Sequence, residues 1–130
     1  MKAVKIDLAG RTRYLAFTVE AMFQIQDAFG GSSELLEAMK ESSREGFYAT
    51  CKAAAIMAEQ GELARRSLGY DPEPMTNAEE ITATIAPSEI AALKLAIPSA
   101  ISLGYGREIE PDENEVDLGL AELNAQKKTR

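Results

Sequence analysis

The chain has 130 residues, the length of one ordinary domain, and 45% of them are apolar while only 6% are aromatic, with no Trp. A core drawn from Ala, Leu, Ile and Met suits packed helices better than a β-sandwich. The formal net charge is −7, from 21 acidic against 14 basic residues, with only Arg65-Arg66 and Lys127-Lys128 as adjacent basic pairs. That balance disfavours nucleic acid as a partner.

In chain order, Val4, Ile6 and Leu8 alternate with Lys5 and Asp7, the pattern of a half-buried strand. Gly10 with Arg11 and Thr12 predicts a turn, and Arg13–Phe17 a second strand, so the opening reads as a β-hairpin that must dock on something to be stable. Thr18 is a good N-cap for a helix carrying Met22, Ile25 and Phe29, with Val19 and Phe23 widening its apolar stripe. Gly30-Gly31 ends it. Ser32 or Ser33 then caps a second helix with Leu35, Leu36 and Met39. Ser42 and Glu45 have capping-box spacing and predict a third helix from about Ser43 to Gln60. This Ala-rich helix, with Phe47, Tyr48, Cys51, Ala54, Ala55 and Ala58, is expected to be central. Gly61 weakens it, and Glu62–Leu68 either continues it or forms a further turn.

Residues 69–75 (GYDPEPM) predict a loop, since Pro72 and Pro74 exclude helix. Thr76 and Glu79 form another capping-box pair before a short helix with Ile81 and Ile85. Pro87 suits the first turn of a last helix bearing Ile90, Leu93, Ile97 and Ile101, closed by Gly104. Pro98 inside it is expected to kink or split it. The expected fold class is thus α+β, mostly α-helical with a short N-terminal β-hairpin, over residues 1–106. Leu15, Phe17, Met22, Ile25, Phe29, Phe47, Cys51, Ile90, Leu93 and Ile97 are the expected core. Residues 107–117 hold six acidic residues and one Pro, as a solvated linker would. Val116, Leu120 and Leu123 then fall at helical spacing. The stretch 107–130 reads as a flexible acidic linker and an amphipathic tail that is disordered alone and becomes helical on binding.

The chemistry-bearing residues are few. With no His there is no ordinary general base near neutral pH and no Ser-His or Cys-His nucleophile. One cysteine, Cys51, permits neither an internal disulfide nor a thiolate metal cluster, and it reads as a small buried hydrophobe. Gly104-x-Gly106 ends a helix, whereas a phosphate-cradling loop opens one. Glu79-Glu80 is explained by a helix first turn, and Asp112–Glu115 lacks the spacing of a calcium loop. Neither a catalytic residue, a cofactor site nor a metal site is expected. The opening lacks the shape of a signal peptide and no apolar run approaches the ~20 residues of a membrane span, so the chain is expected in the cytoplasm. Apolar surface remains: the hairpin edge, the Ala-rich helix and the tail, each of which core packing also accounts for.

The order of elements carries a resemblance. The hairpin KIDLAGRTRYLAFT leads to a helix ending IQDAFG at Ile25–Gly30. Later come PSEIAAL at Pro87–Leu93, the close at Ala100–Gly104, and EVDLGLAEL in the charged tail. This pattern resembles the tail assembly chaperones of long-tailed bacteriophages and prophages, over nearly the whole length and with no single diagnostic motif. The resemblance implies a non-enzymatic protein of the host-cell cytoplasm that binds the aggregation-prone tape measure protein, recruits tail tube protein around it, and is absent from the mature virion. Many such genes also encode a longer frameshifted form. Ala54, Ala55, Ala58, Val116, Leu120 and Leu123 are the candidate partner-binding residues, and homo-oligomers are compatible. Two other readings stay open: a morphogenesis component retained in the virion (a tail or head-tail joining protein), or a bacterial regulatory adaptor. Presence in purified particles marks the first, and a toxin or transcription-factor gene alongside marks the second.

Overall fold

The computed structural model describes residues 2–106 and 115–117. Its elements are β1 (Lys2–Leu8), β2 (Arg11–Leu15), α1 (Val19–Phe29), α2 (Ser32–Lys40), α3 (Arg44–Ser67), α4 (Ala78–Thr84), α5 (Pro87–Gly104) and β3 (Glu115–Asp117). The fold is α+β: mostly helical, with an N-terminal antiparallel hairpin and a short third strand.

The hairpin turns on two residues, Ala9 and Gly10, both at positive φ (54° and 76°). That sign matches the twist of the flanking strands. Arg11 and Thr12, expected in the turn, are strand residues instead, with Leu8 opposite Arg11 and Val4 opposite Leu15. The sheet order is β2-β1-β3. Alternation divides its faces. Val4, Leu8 and Leu15 join the main core with Ile25, Leu35, Cys51, Met57, Ile81, Leu93 and Ile97. Ala3, Tyr14 and Ala16 join a smaller cluster with Tyr70 and Val116.

The ten expected core residues all pack there, but Met22, Phe29, Phe47 and Ile90 sit half-buried at its margin. Three helix starts differ from the sequence pattern. Ser43, not Ser42, caps α3, its hydroxyl accepting from Gly46 N–H at 3.1 Å. Asn77, not Thr76, caps α4, accepting from Glu80 N–H at 2.8 Å. In both cases the next residue along has the extended backbone a cap requires. The cap position of α2 is Gly31, which has no side chain to offer, and Ser32 and Ser33 lie within the helix. Helix α5 runs unsplit through Pro98, held by Leu93, Ile97, Ala100 and Ile101 buried along it.

Helix α3 continues straight through Gly61 to Ser67. The reason is contact with β2. Ala16 N–H donates to Met57 O at 3.1 Å, and a Cβ on Gly61 would lie 1.7 Å from the Tyr14 carbonyl oxygen. Thus α3 lies against the strand's outer edge and shields it from edge-to-edge pairing.

A candidate partner-binding surface and a buried charge network

Helix α1 places two large apolar side chains in solvent: Val19 is 67% exposed and Phe23 50%. At about 100° per residue they lie roughly 120° and 160° around the helix from Ile25, which is fully buried. They were expected to widen the core stripe; the inward arc is instead filled by Ala21 and Ile25, with Met22 and Phe29 beside them. Being four residues apart, Val19 and Phe23 share one outward face. Exposed Glu20 and Asp27 flank them, and Gln24 Nε2 donates to Glu20 Oε2 at 2.9 Å. The result is an exposed apolar pair beside acidic side chains.

The residues singled out from sequence fall elsewhere. Ala54 and Ala58 are buried and Ala55 is half-buried against the core, so the close approach that alanines allow is used inside this domain. Val116 is buried in a strand: Glu115–Asp117 pairs with Lys2–Val4, with Val116 opposite Ala3. The helical tail is therefore corrected at 115–117, because the far edge of β1 and the Tyr14–Tyr70 cluster offer this valine a partner that local spacing does not reveal. Leu120 and Leu123 lie outside the described residues. Cys51 is buried, and desolvation raises its thiol pKa despite a hydrogen bond with Thr82.

A second feature sits at the C-terminal end of α3. Glu62 and Arg65 are both buried, with Arg65 Nη1 donating to Glu62 Oε1 at 2.6 Å. Glu62 Oε2 accepts from Arg66 Nε at 2.9 Å and from Glu73 N–H at 2.8 Å. Arg66 Nη2 donates to Glu73 O at 2.9 Å, Arg13 Nη1 to Pro74 O, and Arg65 Nη1 to Asp71 O at 3.4 Å. The guanidinium of Arg65 also lies 5.3 Å from the Tyr70 ring centroid. Guanidinium groups thereby pin the 69–75 loop to the hairpin and to α3. Burial alone would raise the Glu62 pKa, but the Glu73 N–H and the two arginines outweigh it and hold the carboxyl below its ordinary value.

Among the described residues no group of three or more His, Cys, Asp or Glu could hold a metal ion, and no helix is long and apolar enough to cross a membrane. The molecule defined by these elements is a small, acidic α+β domain with a three-stranded sheet. Compared with models of protein families, with curated proteins and with solved structures, the chain matches none.

Proposed function

We propose that this chain is a phage tail assembly chaperone that binds the tape measure protein, keeps it soluble and helps recruit tail tube protein around it. The reading begins from the sequence resemblance, and the observation that carries it into the fold is the outward face of α1. Exposing Val19 and Phe23 on a small acidic protein gains nothing for its own core and supplies a dock for apolar surface on another chain. A long helix with an apolar stripe cannot bury that stripe alone and aggregates until something lies along it. Several copies of this domain would cover such a helix in series. The net charge of −7 would attract its basic stretches and keep the coated complex dispersed. The protein would act in the host cytoplasm and leave before the virion is complete.

The test is co-expression with the tape measure protein encoded in the same genome. The expected result is a soluble tape measure protein that elutes with this chain in size-exclusion chromatography. A tape measure protein that stays insoluble, with no complex formed, rejects the proposal.

A further inference from the structure

The apolar pair on the outer face of α1 continues into a charge. Asp27 stands one turn beyond Phe23 and about 40° around from it, so Val19, Phe23 and Asp27 form one row about 12 Å long. Asp27 is exposed and has no hydrogen bond or ion pair among the described residues. Glu20, at the other end of the face, is instead engaged by Gln24 at 2.9 Å. The position of Asp27 is unfavourable to α1 itself. It lies in the last turn, where the helix carbonyls already concentrate negative charge, and that turn holds no basic residue. Lys52 reaches this turn but lies 6.0 Å from the Phe29 ring centroid, about 160° around the helix from Asp27. The stability of this domain therefore explains neither the exposed apolar pair nor the bare carboxylate in line with it.

We infer that the α1 face docks a helix carrying a lysine or arginine one turn beyond a pair of apolar residues, with Asp27 receiving the cation. The row on α1 repeats once per turn, and an i, i+4 row on a second helix has the same repeat of about 6 Å. An extended segment would instead bring unpaired backbone groups against an apolar face whose own amides are already bonded within α1. Charge selects the third position. A cation there meets both the carboxylate and the negative end of the helix, and so relieves a cost that α1 bears alone. An acidic residue would be repelled by both. Val19 and Phe23 supply the burial, and Asp27 sets which apolar stripes the face accepts and in which register. The inference deepens the proposed function and rests on its reading of the α1 face as the docking surface.

Two isomeric helical peptides of about 20 residues test it, by NMR titration of the full chain. Both contain a leucine pair at i, i+4 and two lysines. In the first, the lysines flank the pair one turn away on the leucine face, so the peptide docks in either direction. In the second, they sit on the opposite face. The isomers carry the same charge, so bulk attraction to the acidic protein cancels between them. The wild-type chain is expected to bind the first about threefold tighter or more, with shifts centred on Val19, Phe23 and Asp27. Asp27→Lys should remove that preference without lowering the unfolding midpoint, because Asp27 is exposed and unpaired. Equal affinity for the isomers, a preference that survives Asp27→Lys, or no binding of either peptide overturns the inference. Co-expression with the tape measure protein reads out separately. A soluble complex there alongside equal peptide affinities rejects the role of Asp27 alone. An insoluble tape measure protein alongside a preference that Asp27→Lys removes rejects that partner and keeps the helix-docking face.

Discussion

The two halves of α3 are held by opposite means. From Ala49 to Ala58 the helix is dry: Thr50, Cys51, Ala53, Ala54 and Met57 are fully buried, and small side chains let neighbours come close. From Gln60 to Arg66 the same helix is anchored by charge and by backbone contact. Gln60 Oε1 accepts from the Thr18 hydroxyl at 2.7 Å, Gly61 lies against the Tyr14 carbonyl, and Glu62 gathers two arginines and a loop amide. In the dry half, a truncated side chain loses contacts but strands no charge. In the charged half, removing one member leaves its partners buried and unpaired. One helix can thus be robust at one end and brittle at the other.

The sharpest way to break that contrast is Glu62→Ala. It strands Arg65 at 4% exposure and should cost about 4 kcal/mol, as breaking a buried pair does. Denaturant unfolding measures it. The same group sets an acid dependence. Its pKa lies below the ordinary glutamate value in the folded chain and returns to that value on unfolding. Its stabilisation is present above the ordinary glutamate pKa and is lost as pH falls through the lower, folded value. Hydrogen exchange should then show the Glu62–Ser67 end of α3 loosening before Ala49–Ala58.

Next in size comes Gly61→Ala. Helix propensity alone favours alanine by about 1 kcal/mol. The Tyr14 carbonyl, 1.7 Å from where the new Cβ must sit, reverses the sign, and we expect a loss of about 3 kcal/mol. A gain in melting temperature would mean that α3 and β2 are not in contact. Smaller still is Val116→Ala, which should cost about 1–2 kcal/mol for two buried methyl groups. An unchanged unfolding midpoint would detach β3 from the sheet.

These positions also show what the sequence made legible. The hairpin, the five helices among the described residues and most of the core follow from short-range signals: alternation, three-and-four spacing, glycine stops. The helix caps slipped by one residue because Ser42-Ser43 and Thr76-Asn77 each offer two good caps side by side, and backbone angle chooses between them. Gly61 reads as a weak point only when its neighbour across space is unknown. The burial of Glu62 and Arg65 has no local signal, since the Tyr70 ring and the Glu73 amide that meet them lie in a stretch that reads as loop. Val116 failed for the same reason at greater range: its partner, Ala3, lies at the other end of the chain. The exposed Val19 and Phe23 were visible as apolar residues, but their direction depends on which arc of α1 the core occupies.

The smallest expected effect on stability belongs to the α1 face, and the account's central claim rests on it. The Val19→Ser, Phe23→Ser double variant should leave the unfolding free energy within about 1 kcal/mol of wild type, because both side chains are at least half exposed. Affinity for the tape measure protein, measured by titration calorimetry against its soluble helical segments, is the deciding quantity. The account predicts binding by the wild-type chain and at least about a tenfold loss in the equally stable double variant. Equal affinity in the two proteins, or no binding by the wild type, would contradict it.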